Sequence, residues 1–265
     1  MKQFYKTPII LILLLMGLIS IISSCKQEKL LFYPDTYPVE YKFSFKNKFQ
    51  EYFIKVDEKT SLNGILFHAN SSKGLIFYLH GNGGSIDSWG SIADVYLENN
   101  YDFFIMDYRG YGKSQGKISS EKQLYKDIQI VYDSLKAKYI ENNIIIIGYS
   151  IGTGPATQLA STNNPKMLLL EAPYFNLPDL AHKYIKVLPS FLIRYKFRTN
   201  EYITKVKCPV IIFHGNQDEV IYVGSSYKLK ELFKQGDQLI ILDGQKHNGI
   251  NENEMYKKEL KKILE

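Results

Sequence analysis

Cysteine is nearly absent from this chain: its 265 residues contain only Cys25 and Cys208. Two cysteines cannot make a disulfide framework, and if Cys25 carries a lipid no internal disulfide is left, so the fold has to be held by a hydrophobic core. Cys208 precedes Pro209 at the start of an apolar run, with no histidine or cysteine at ligand spacing, so it reads as a packed thiol and no metal site is expected. Internal repeats and low-complexity linkers are missing too, which leaves one domain as the simplest organisation. Charge of one sign is scarce. The formal net charge is +6, and the lysines are spread among comparable numbers of acids without a basic helix, so nucleic acid is not an expected partner. What is present is a globular composition, 45% hydrophobic and rich in tyrosine, on a chain long enough for one sizeable core.

The first segment is set apart from the rest. Lys2 and Lys6 precede an almost wholly apolar run over 9–22, followed by Ser23-Ser24-Cys25. That run falls short of the ~20 residues that cross a bilayer, so an export signal is the better reading of 1–24. The sequence Ile22-Ser23-Ser24-Cys25 resembles the lipobox of bacterial lipoproteins, which implies Cys25 as a lipid anchor and a bacterial cell-envelope location. An uncleaved N-terminal anchor is the alternative, and either places the domain at a membrane. Residues 25–40 are then expected as a tether, and 41–265 as the folded domain.

Segments rich in β-branched and aromatic residues predict strands over 41–56 (with a turn near Asn47), 62–68, 75–80, 103–107, 144–147, 167–171, 210–214 and 238–242. Helical spacing of apolar residues predicts helices over 89–98, 121–138, 152–161, 225–234 and 252–264. Strands alternating with helices imply an α/β fold with a mainly parallel sheet and helices on both faces. The uninterrupted apolar runs Ile144-Ile145-Ile146-Ile147 and Met167-Leu168-Leu169-Leu170 fit central strands buried on both sides. In such sheets ligands bind beyond the carboxyl ends of the strands, so chemistry is sought there.

After the strand at 144–147 comes Gly148-Tyr149-Ser150-Ile151-Gly152, a G-x-S-x-G turn leading into a helix. Such a strand–turn–helix elbow leaves no room for side chains at the glycines and holds the serine out as a nucleophile. A hydroxyl needs a base. Of the five histidines, His247 lies in the loop after the last strand and follows the serine in the chain; His80 and His214, each ending a strand before a glycine, read as structural, while His68 lies in or at the end of a strand and His182 in an irregular segment. The acid that orients the base should end another strand between them, and Asp218 fits, with Glu171 as competitor. His80-Gly81-Asn82-Gly83-Gly84 follows the strand at 75–80 and can supply the Asn82 N–H to an oxyanion, with the Ile151 N–H as second donor. The same glycine-rich segment lacks G-x-G-x-x-G and the Walker lysine, so nucleotide binding is not supported.

These motifs, with Leu31-Phe32-Tyr33-Pro34 and Asp107-Tyr108-Arg109-Gly110-Tyr111-Gly112-Lys113-Ser114, resemble the α/β-hydrolase superfamily from about Leu30 onward, in particular a small-cap branch with mammalian depalmitoylases and bacterial esterases. The resemblance implies serine hydrolysis of an ester or thioester through an acyl-enzyme, without cofactor, and a structural role for the Asp107–Ser114 segment. A short cap is expected at 174–206. There Tyr184, Phe191, Tyr195 and Phe197 alternate with Lys183, Lys186, Arg194, Lys196 and Arg198, a pattern that fits a cap packed on the domain with its cations solvated and, as the alternative, a surface that meets anionic lipid. Peptidase activity and a silent envelope binding role stand as alternatives; a monomer acting on a small-molecule or acyl-chain substrate is expected.

Overall fold

A computed structural model describes residues 27–265; residues 1–24, expected as an export signal, and Cys25, expected as a lipid anchor, lie outside the described residues. Eight strands form one sheet in the order β10-β9-β8-β7-β4-β6-β3-β2. In chain order these are β2 (Phe49–Lys55), β3 (Ser61–Phe67), β4 (Leu75–Leu79), β6 (Asp102–Met106), β7 (Ile144–Tyr149), β8 (Met167–Glu171), β9 (Val210–Gly215) and β10 (Gln238–Leu242). The pairs β2–β3 and β3–β6 are antiparallel and all others parallel, as the mixed early strands and uniformly apolar later ones imply. A two-stranded ribbon pairs β1 (Tyr33–Pro34) with β5 (Gly83–Gly84).

The four consecutive isoleucines of β7 show how the layers form. A strand alternates its side chains, so Ile144 and Ile146 face one side, against α4 (Glu121–Lys136) and α5 (Thr153–Thr162), while Ile145 and Ile147 face the other, against α3 (Ala93–Leu97) and α9 (Glu254–Leu264). All four are fully buried, and each contributes about 1.5–3 kcal/mol of burial free energy. Helix α4 begins where Ser120 accepts from the Gln123 N–H at 3.1 Å, and α9 where Asn253 accepts from Met255 and Tyr256. Between β5 and α3 the chain makes α2 (Ile86–Trp89) and a 3₁₀ turn, so the single helix predicted over 89–98 is divided.

Two expectations for the early chain need correction. Residues 41–48 join no strand and bend at Lys46-Asn47, the aromatic side chains of Tyr41, Phe43 and Phe45 packing as a ladder against the sheet instead. Residues 27–40, expected as a tether, are docked. Helix α1 (Glu28–Leu31) leads into buried Phe32, Gln27 exchanges hydrogen bonds with the Leu192 carbonyl and Arg194 N–H, and Glu28 accepts from the Tyr195 hydroxyl at 2.8 Å.

The segment these residues grip is the region expected as a cap. It carries α6 (Leu177–Tyr184) and α7 (Thr199–Ile203) and precedes β9, with α8 (Gly224–Lys230) following that strand. Its aromatic residues divide. Tyr195 and Phe197 are buried in the core, whereas Tyr184 and Phe191 are exposed beside Ile185 and Val187.

Candidate active site

The elbow after β7 is tight in the way its glycines require. A Cβ on Gly148 would come within 2.6 Å of the Gly152 carbonyl oxygen, and one on Gly152 within 2.2 Å of the Leu79 carbonyl oxygen. Ser150 itself adopts φ 51°, a left-handed conformation that a serine holds only where surrounding structure imposes it. A 3₁₀ turn (Ser150–Gly152) passes directly into α5, so the serine immediately precedes the helix N-terminus.

Opposite the elbow, the loop after β10 presents His247, whose carbonyl accepts from the Tyr149 hydroxyl. Its Nε2 lies 3.0 Å from Ser150 Oγ and its Nδ1 lies 2.7 Å from Asp218 Oδ2. With the carboxylate as an acceptor, Nδ1 carries the proton, and Nε2 is left with the lone pair facing the hydroxyl. The structure thus brings Ser150, His247 and Asp218 into one line at the carboxyl end of the sheet.

Asp218 is more heavily held than its place in the chain suggests. Oδ1 accepts from the Val220 and Ile221 N–H groups, both at 2.8 Å, while Oδ2 faces His247 and also His214 Nε2 at 3.3 Å. Burial alone would raise its pKa, but the hydrogen bonds from His214 and His247 outweigh burial and hold the carboxyl below the usual carboxylate range. His214 is fully buried and shares its Nε2–H between Asp218 and the Ile221 carbonyl, with Nδ1 accepting from Ser226 at 2.6 Å. Its locally satisfied ring fits the structural reading, but the contact with Asp218 was missed; the only signal was its i, i+4 spacing from that acid across a turn.

The remaining histidines and acids fall elsewhere. Glu171 is buried under the hydroxyls of Tyr78, Tyr96 and Tyr256; burial pushes its pKa up to about 7 against the pull of those donors. His68 meets Asp102, and His182 meets the Leu188 carbonyl. In the Asp107–Ser114 segment, Arg109 is clamped by Asp127 and Asp57, and Ser114 bridges the Asp107 carbonyl and the Asn63 N–H. Cys208 is half-buried, and burial pushes its thiol up to about 11, which keeps it a thiol. Among the described residues no histidine, cysteine or acid cluster could hold a metal.

A cavity of about 520 Å³ opens over Ser150 and His247. Gly81, Asn82 and Ile151 line it beside the serine; Leu30, Leu31, Trp89, Leu177, Leu180 and Val220 give it apolar walls. Among the described lining residues there is no Asp, Glu, Lys or Arg. A larger hollow of about 800 Å³ lies between 28–39 and 109–119, away from the serine, and has none of this chemistry.

A family model described as serine aminopeptidase S33 matches residues 70–201. Alpha/beta hydrolase domain-containing protein 17C of Xenopus tropicalis is 32% identical over 221 residues, covering 78% of this chain and 67% of that protein. The human protein of the same name is also 32% identical, over 74% of this chain and 59% of its own length. Among solved structures, an esterase of Pyrococcus furiosus superposes with a TM-score of 0.68 at 21% identity, covering 87% of this chain and 98% of its own. A Butyrivibrio proteoclasticus protein solved with ferulic acid bound superposes with a TM-score of 0.65 at 18% identity, over 80% of this chain and 97% of its own.

Proposed function

Since the chain belongs to the α/β-hydrolase superfamily, we propose that it is a serine hydrolase that cleaves carboxylic ester or thioester bonds with an apolar acyl group, Ser150 being the nucleophile. In this reading Ser150 Oγ attacks the carbonyl carbon as His247 Nε2 takes its proton. The resulting oxyanion sits against the Asn82 and Ile151 N–H groups, and the Asp218 carboxylate steadies the imidazolium. His247 then gives its proton to the departing alcohol or thiol, leaving an acyl-Ser150. Water, activated by the same nitrogen, attacks that ester and releases the acid.

The observation that carries the ester reading is the chemistry of the pocket wall. A peptidase acting on free amino termini needs a carboxylate near the scissile bond to meet the substrate ammonium, and the described lining holds none. A panel of p-nitrophenyl esters of increasing acyl length, set beside aminoacyl p-nitroanilides, tests it. Turnover of the esters with a preference among chain lengths is expected; turnover confined to the anilides would overturn it and install the peptidase suggested by the family model.

We also propose attachment to a membrane of a bacterial envelope through a lipid on Cys25. The leader pattern supports this, and so does the position of the first described residues, where Leu30 and Leu31 form part of the pocket mouth. The cap adds an apolar tip, with Val187 83% and Phe191 80% exposed, flanked by Lys183 and Lys186. Co-sedimentation of residues 27–265 with vesicles of anionic lipid is expected, and loss of binding in Val187→Ser/Phe191→Ser; equal recovery with neutral and anionic vesicles would remove the cap from the account.

A further inference from the structure

Around the proposed oxyanion site, four consecutive backbone carbonyls each accept a hydrogen bond from a side chain. The Tyr108 hydroxyl donates to His80 O at 2.9 Å, His80 Nδ1 to Gly81 O at 2.7 Å, the Tyr111 hydroxyl to Asn82 O at 2.8 Å, and Trp89 Nε1 to Gly83 O at 2.8 Å. A trans peptide sets its C=O and N–H in opposite directions, and no cis peptide occurs among the described residues. Holding the Gly81 carbonyl against the buried imidazole therefore turns the Asn82 N–H the other way, toward the cavity that Asn82 lines with Ser150. Among the described residues no acceptor takes that N–H.

The imidazole is itself held from behind. His80 and Asp107 are both fully buried, the ring is enclosed by Tyr108, Tyr111 and Trp89, and Nε2, which has no hydrogen-bond partner among the described residues, has Asp107 Oδ1 as a charged neighbour at 3.5 Å. Asp107 Oδ1 also accepts from the Ile86 N–H at 2.9 Å, and Oδ2 abuts Gly112, where a Cβ would lie 1.9 Å from it. The Gly81 carbonyl can only accept, so Nδ1 must carry a proton. One further proton then serves the Nε2–Asp107 contact, on either partner, and Nδ1–H is kept in both cases.

We propose that His80 and Asp107 are positioning residues for the oxyanion site: Asp107 holds the ring with its proton on Nδ1, and that proton fixes the Gly81 carbonyl and aims the Asn82 N–H at the reacting carbonyl oxygen. This rests on the ester-hydrolase reading and extends it to a pair of residues that touch no substrate. The pair acts only on the negatively charged oxygen of the transition state, so its loss lowers kcat and leaves KM in place.

The experiment compares His80→Phe, which keeps the ring in its aromatic enclosure, with Asp107→Leu, which removes the carboxylate facing Nε2. His80→Phe and Asp107→Leu should lose about 10- to 100-fold in kcat on a p-nitrophenyl ester, short of the 10²–10³ that deleting a donor outright costs, with KM within about 3-fold. Affinity for a trifluoromethyl ketone should weaken in step with kcat across the series. A natively melting His80→Phe with wild-type kcat, or a kcat loss without loss of ketone affinity, would each overturn the proposal. Nitrogen NMR of the wild-type ring supplies a readout free of activity and of variant folding. His80 Nδ1 should carry a bonded proton at neutral pH, and a bare Nδ1 overturns the proposal. A wild type that turns over no ester but shows the protonated Nδ1 counts against the proposed function while upholding the pinned loop.

Discussion

Two of the imidazole–carboxylate contacts among the described residues are built from the same parts and differ in what they serve. His247 and Asp218 meet at 2.7 Å, with the free nitrogen facing Ser150; His80 and Asp107 meet at 3.5 Å in full burial, with the free nitrogen facing a backbone carbonyl. What separates them is the group on the far side of the ring. A hydroxyl can surrender a proton, so the first ring is poised as a base; a carbonyl can only accept one, so the second is a fixed donor. The acids differ in the same sense. Asp218 is supplied with two backbone amides and two imidazoles, which hold it below the ordinary carboxylate range, while Asp107 has one amide and is raised by burial.

The comparison is broken most severely at the bases. Under the proposed mechanism His247→Ala loses about 10⁴-fold or more in kcat, the scale of losing a triad member, against the far smaller loss expected of His80→Phe; steady-state kinetics on one ester measures both. At the acids, Asp218→Asn is expected to cost about 10³- to 10⁴-fold, since an amide can present its N–H to His247 and strand the proton on the wrong nitrogen. An Asp218→Asn no worse than Asp107→Leu would erase the distinction. His214→Phe removes one charge-assisted hydrogen bond from Asp218 and should cost about 10-fold in kcat with a raised Asp218 pKa; an unchanged rate would reduce His214 to packing.

Stability against pH sharpens the contrast further. The lowered pKa of Asp218 contributes stability that is complete above the unfolded carboxylate value of about 3.9 and is lost as pH falls through the folded value. The raised pKa of Asp107 has the opposite sign: its contribution is present below about 3.9 and fades as pH rises. Glu171, pushed up to about 7, adds to that second loss. In melting curves, Asp218→Asn should flatten the acid limb and Asp107→Asn the slope on the other side. The smallest effect belongs to the cap tip, where Phe191→Ala should change stability by less than about 0.5 kcal/mol, because the side chain is exposed.

Much of this arrangement is legible in the sequence because local patterns carry it. The isoleucine run marks a strand covered on both faces, and a glycine-framed serine between that strand and a helix admits only a tight elbow. The order of Ser150, Asp218 and His247 along the chain then places one chemical group at the end of each of three strands. The rest depends on contacts without local pattern. Residues 27–40 look like a linker because their anchors, Gln27, Glu28 and Phe32, find partners in the cap and core far along the chain. Tyr195 and Phe197 look no different from Tyr184 and Phe191, yet two enter the core and two face solvent. His80 and His214 each end a strand before a glycine, and only the folded structure shows that one faces the oxyanion loop and the other the acid.

Intact-mass and peptide analysis after treatment with a fluorophosphonate tests the central claim most directly. One adduct on Ser150 is predicted, absent in Ser150→Ala and formed far more slowly in His247→Ala. A folded wild-type protein that remains unlabelled, or whose adduct maps to another residue, would contradict the account.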